Sequence, residues 1–237
     1  MPLPRRIALI GASLAAASVA MAEGGRGEAV IRVAGAPELR FVVVASHCAD
    51  RLSTEWLRPD GSVAAAEEVE LTGGRWSRYR LQRANLGQDL RAERQGDTVT
   101  ITDAARSSGR PLARLTMRGT LLAGPELVPF LQGKLAALRA GRAVEFQYLL
   151  ADRGAAIGLV ARGRIQGADT SVALEPSSAI FRPFVPTTTF RFAADGGLRE
   201  VVGRMLPVVG DRKTQKPLDG VLQMSASQPT CNKKSLT

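Results

Sequence analysis

The sequence predicts a mainly β, antiparallel domain that carries one main helix. Three observations predict it: short stretches in which apolar and polar residues alternate, turn signals that separate them, and a single stretch with helical period.

Residues 1–22 stand apart from that domain. Arg5 and Arg6 form a short positive region, residues 7–21 are an uncharged run of 15, and Ala20-Met21-Ala22 has the small-x-small pattern that signal peptidase reads. The run is shorter than the roughly 18–20 residues that span a bilayer. The expectation is an export signal cleaved after Ala22 and a periplasmic location, with a retained anchor as the competing reading. Arg5-Arg6 hints at the twin-arginine route, although its neighbours fit that motif poorly. No Cys follows the cleavage point, so a lipid-modified N-terminus is not expected. Residues 23–28 read as a flexible leader, 29–226 as a single β-rich domain and 227–237 as a polar tail, with no Ser- or Pro-rich linker between.

Residues 30–33 and 39–45 are rich in β-branched and aromatic residues. Arg58-Pro59-Asp60-Gly61 is a strong turn signal between 52–57 and 63–71, a predicted hairpin. Thr72-Gly73-Gly74 turns the chain into 75–83. Gln95-Gly96-Asp97 turns it into 98–102, where three threonines alternate with Val99 and Ile101. A further strand is read at 112–118. After the helix, strands are read at 144–150, 157–165, 170–174, 187–192, 198–203 and 218–224. Residues 178–184 read as a short helical or irregular crossing. The expected total is nine to eleven strands.

The helix is expected at 126–140. Leu127, Phe130, Leu131, Leu135 and Leu138 fall on one helical face, Pro129 lies in the first turn, where it is tolerated, and Gly141 is a stop signal. A membrane-binding face is the weaker reading, because the polar side offers only Lys134 and Arg139 as cations.

Removing Arg5 and Arg6 with the signal lowers the formal net charge from +10 to +8. In an exported protein that charge points away from nucleic acid. It points toward an anionic membrane surface, lipopolysaccharide or an acidic envelope protein, or to ordinary solvation by an Arg-rich surface. Cys48 and Cys231 are the two cysteines. An oxidising compartment favours a disulfide between them; two unpaired thiols are the alternative.

His47 is the single histidine, so a metal site would have only His47, Cys48 and Cys231 to draw on beside carboxylates. A Cys48–His47 dyad is disfavoured, because neighbours on a strand point to opposite faces. No Gly-x-Ser-x-Gly or phosphate-binding glycine loop occurs. Glu68 and Glu70 share a strand face and invite comparison with a paired-carboxylate site. Arg75, Arg78 and Arg80 lie across the next turn, so cross-strand ion pairing is the plainer account. No catalytic residue, metal or cofactor is expected.

The succession Trp56-Leu-Arg-Pro-Asp-Gly-Ser62, Glu67-Glu-Val-Glu-Leu71, Gly124-Pro-Glu-Leu-Val-Pro-Phe130, Val144-Glu-Phe-Gln-Tyr148, Leu174-Glu-Pro-Ser-Ser178, Phe181-Arg-Pro-Phe184 and Phe190-Arg-Phe-Ala-Ala-Asp-Gly-Gly-Leu198 spans about residues 40–205. It resembles a group of uncharacterised bacterial exported β-proteins. The resemblance implies a strongly curved antiparallel sheet, a half-barrel or open barrel similar to lipoprotein-carrier half-barrels, with the helix packed on its concave face. It carries no functional residue over.

In such a sheet the large side chains are either ordinary core or the lining of an apolar cavity. Trp76, Tyr79, Leu127, Phe130, Leu131, Phe146, Tyr148, Phe190 and Phe192 are the candidate ligand-binding residues. The expected function is an exported, non-catalytic binding or carrier protein for a lipid-like or apolar ligand. The alternative is a structural or interaction subunit of an envelope complex.

Overall fold

The computed structural model describes residues 25–31, 38–106, 110–117, 119–182, 185–211 and 213–225. Residues 1–22, expected as an export signal, lie outside the described residues, as do Phe184, Cys231 and residues 227–237.

The first half of the chain is a meander of eight strands: β1 Gly25–Ile31, β2 Leu39–Cys48, β3 Arg51–Leu57, β4 Val63–Thr72, β5 Arg75–Arg83, β6 Gln88–Gln95, β7 Thr98–Asp103 and β8 Ala113–Thr116. A two-residue strand, β9 Leu121–Leu122, precedes the helix α1 Leu127–Arg139. The second meander is β10 Val144–Leu150, β11 Ala155–Gln166, β12 Asp169–Pro176, β13 Thr188–Phe192, β14 Leu198–Val209 and β15 Lys216–Ser225. The first strand pairs with the last, so β1 and β15 fuse the two meanders into one sheet of 15 strands, ordered from β8 through β1 and β15 to β9. Neighbours are antiparallel except β9 and β10, which are parallel. A parallel pair needs a long crossover, and α1 supplies it.

The alternation of the sequence decides which face is buried. Leu52, Val69, Tyr79, Ala92 and Ile101 pair in register from strand to strand and form one buried row across β3–β7. Turns fall where the sequence signals them: Gly61 N–H closes onto Arg58 C=O at 2.9 Å, and Asp60 Oδ1 accepts Ser62 N–H at 2.9 Å.

The sheet is open, and its two ends overlap like the edge of a scroll. One core cluster lies under α1 and joins Phe41, Val43 and Trp56 of the first meander to Phe146, Phe190 and Phe192 of the second. A second cluster joins the inner face of β3–β7 to Leu121, Ala123, Leu149 and Ala151 of the β9–β10 edge. Leu149 and Phe146 fall on opposite faces of β10, so that strand, next to the sheet edge, is covered on both sides.

The helix follows its signals. A 3₁₀ turn over residues 124–126 begins it, with Glu126 Oε2 accepting Ala123 N–H at 3.0 Å. Leu131, Leu135 and Leu138 form its buried stripe. At its end Gly141 N–H bonds Leu138 C=O and Arg142 N–H bonds Ala137 C=O, a Schellman stop. Arg139 is held at that end of the scroll, with Nε on Thr170 Oγ1 at 2.8 Å and Nη2 on Ala193 C=O at 3.1 Å.

Three details differ from the expectation. The sheet has fifteen strands rather than nine to eleven. β6 falls where no strand was expected: it has only Leu90 and Ala92 as apolar inward residues among polar, helix-tolerant neighbours, so its alternation is faint. β1 begins at Gly25, within the stretch read as a flexible leader.

Candidate functional site

The nine candidate ligand-binding residues do not line one cavity. Trp76 and Tyr79 belong to the overlap cluster, whereas Leu131, Phe146, Phe190 and Phe192 belong to the cluster under the helix. Those six are buried; Leu127, Phe130 and Tyr148 are half-buried and pack against the helix cluster. Phe130 and Phe146 meet edge to face with centroids 5.1 Å apart.

The overlap is stitched by polar side chains that reach it from both meanders. Trp76 Nε1 donates to Leu121 C=O at 2.9 Å. Tyr79 Oη donates to Glu67 Oε1 at 2.6 Å, and Arg83 Nη1 donates to Asp152 Oδ2 at 3.1 Å. Burial pushes the Glu67 carboxyl up, against the opposing pull of the Tyr79 hydroxyl and the Arg83 charge. Burial also drives the Tyr79 and Tyr148 phenols well above their ordinary range. Glu126, beside this layer, is pushed up to about 7 by burial, partly offset by the Ala123 and Trp76 N–H groups it accepts and by Arg94.

The two glutamates read as a pair face outward. Glu68 registers with Arg80 and Glu70 with Arg78, with Arg78 Nη1 to Glu70 Oε2 at 3.0 Å. Arg51 approaches both carboxylates at 3.8 Å. Arg80 turns instead to Asp89 at 2.8 Å. His47 lies on β2 opposite Leu52. Cys48 is disulfide-bonded; the other cysteine in the sequence, Cys231, is outside the described residues. Among the described residues no three His, Cys, Asp or Glu side chains come together as a metal ligand set.

An open recess lies at one end of the scroll. It is a groove of about 380 Å³ between the start of β2, the β3–β4 turn and the end of β14. Leu39, Phe41, Ala64, Val208 and Val209 supply an apolar lining, joined by Arg58 and by Arg40, whose Nη2 lies 2.8 Å from Glu38 Oε1. Asn85, in the turn after β5, braces it: Nδ2 donates to Val208 C=O and Gly210 C=O, both at 2.9 Å. A smaller recess of about 180 Å³ shares Arg40, Phe41 and Pro59 with it. Sequence reading finds the 58–61 turn but not the groove. Its walls come from strands more than 140 residues apart, joined only through the β1–β15 pairing.

These features define a class: a β-barrel-like protein built from one rolled, open antiparallel sheet with a single packed helix. No protein-family model and no curated protein matches the chain. Among solved structures it is similar to a β-barrel-like protein of a domain of unknown function, DUF1849, from Brucella abortus, with a TM-score of 0.50 and 11% identity. The match covers 87% of this chain and 99% of that one. At that identity the likeness concerns the fold.

Proposed function

We propose that the chain is an exported, non-catalytic binding or carrier protein of a bacterial envelope, and that it takes a lipid-like or apolar ligand in the groove between β2, β4 and β14. One observation carries this reading: the groove has a largely apolar lining, with Arg58 and the Arg40–Glu38 ion pair among its polar residues. Leu39, Phe41, Val208 and Val209 offer apolar contact, and Arg58, beside the Arg40–Glu38 pair, is the cation that would meet an anionic head group. Burying a chain against such a wall is favourable by about 25 cal/mol for each Å² removed from water. That cation selects one end of the ligand, as the few placed polar groups of a small-molecule site do. A rolled sheet held by long-range bonds suits the task, because the groove is preformed.

The test is displacement of a fluorescent fatty acid by oleate. A single saturable site is expected, and Val209→Trp, which fills the groove from a half-buried position, should weaken it about tenfold or more. Melting curves of both proteins check that the variant folds. Absence of binding, or equal binding by a folded Val209→Trp protein, overturns the reading.

A further inference from the structure

The large hydrophobic side chains left in solvent are concentrated at one end of the scroll. Strand directions put the connections after β3, β7, β10, β12 and β14 at the same end as the groove. Val63, Leu112, Ile180 and Phe181, four of the six exposed large hydrophobics, lie on these connections or the strand starts beside them. Ile180 is 76% exposed and Phe181 53% exposed. Their turn is a braced one: Phe181 N–H bonds Ser178 C=O at 3.1 Å, Val185 N–H bonds Phe181 C=O at 3.1 Å, and Arg182 Nε reaches Pro176 C=O at 3.5 Å. Two adjacent apolar side chains are thus presented outward together on a hydrogen-bonded turn.

The charges at this end have the same bias. Three of its acids are ion-paired, Glu38 with Arg40, Asp103 with Arg106 and Asp152 with Arg83; Asp60 and Asp211 accept hydrogen bonds inside their own turns, and Glu175, near the end of β12, is half-buried. Arg153, Arg182, Lys213 and Lys216 are exposed and form no ion pair with an acid among the described residues. Exposed apolar side chains and unpaired cations at the same end of the sheet match the boundary between phosphate head groups and acyl chains.

We infer that this end docks on an anionic phospholipid surface, with Ile180 and Phe181 entering the head-group boundary and Arg153, Arg182, Lys213 and Lys216 facing lipid phosphates. Docking would turn the groove mouth toward the bilayer, but it does not depend on the groove being occupied.

Vesicle flotation tests it, using the chain without residues 1–22, which supply no element of the described fold. Phosphatidylglycerol–phosphatidylcholine vesicles should bind the protein and pure phosphatidylcholine much less. Ile180→Ser/Phe181→Ser should lower binding about tenfold or more, since two apolar side chains leave the interface. Arg153→Gln/Arg182→Gln should lower it by a similar factor, each cation near the surface contributing about fivefold. All four side chains are exposed, so folding is preserved and melting curves verify it. Val209→Trp should keep vesicle binding even where it loses the fatty acid, which separates this inference from the groove reading. Equal binding to neutral and anionic vesicles, or unchanged binding by both double variants, overturns it. So does the absence of vesicle binding together with an acidic protein partner lost in Ile180→Ser/Phe181→Ser.

Discussion

Tyr79 Oη donates to Glu67 Oε1 at 2.6 Å from the neighbouring strand, inside the layer where the two ends of the sheet overlap. The hydroxyl is the bond that lets a carboxyl occupy an otherwise apolar layer. Tyr79→Phe keeps the ring and its packing but strands the glutamate, and leaving a buried acceptor unmade costs about 1–3 kcal/mol. Chemical denaturation should show that loss. The further change Glu67→Gln should recover part of it, because the neutral amide is less costly to bury than a carboxylate.

Glu126 makes stability depend on pH. Burial raises its carboxyl from an ordinary 4.5 to about 7 in the folded chain. Below 4.5 both folded and unfolded chains hold the proton, and the contribution to stability is complete. As pH rises the unfolded chain releases the proton first, so the advantage of the folded state shrinks and is gone above about 7. Glu67 is raised by the same cause and adds to the trend. Melting temperature should therefore fall between pH 5 and 8. Glu126→Gln, whose amide oxygen still accepts the Ala123 N–H, should flatten that fall by about 2–3 kcal/mol of pH-dependent stability.

How far the fold is legible follows from what alternation encodes. It tells which face of a strand is buried, so the strands with clean alternation, such as Thr98–Asp103, and the helix with its Leu131, Leu135 and Leu138 stripe are readable residue by residue. It does not tell what covers that face. The scroll arises because β1 meets β15 and because both faces of β10 are covered, and neither relationship leaves a local signature. Glu67 shows the same limit at one residue. It looks like part of an outward acidic run with Glu68 and Glu70, yet it shares the parity of Ala65 and Val69 and faces inward. Reading that parity before the charge would have found the buried carboxyl.

Arg83 and Asp152 hold the roll together near the groove end. Arg83 is buried, its Nε has no partner among the described residues, and its Nη1 depends on Asp152. Asp152→Ala leaves the guanidinium buried without its counter-charge. Removing one member of a fully buried pair costs 3–5 kcal/mol; Asp152 retains solvent contact, so about 2 kcal/mol is expected. Arg83→Met/Asp152→Leu removes both charges from the seam and should be less destabilised than Asp152→Ala. A double variant no more stable than Asp152→Ala would show that the charges are not the cause.

Gly124 fits the overlap because it has no side chain. Its φ is +48°, and a Cβ there would meet Tyr79 Cε2 at 2.7 Å and Glu67 Oε1 at 3.3 Å. Two costs therefore coincide in Gly124→Ala: a left-handed backbone, about 1–2 kcal/mol for an L-residue, and displacement of the Tyr79 ring from its bond to Glu67. A loss of about 2–4 kcal/mol is expected in denaturant unfolding. Combining Gly124→Ala with Tyr79→Phe separates the terms. If the methyl acts partly by breaking the Tyr79–Glu67 bond, the two losses should fall short of additive, because that bond can be lost only once. Full additivity would mean that backbone strain alone sets the requirement for glycine, and that the ring shifts without releasing the carboxyl.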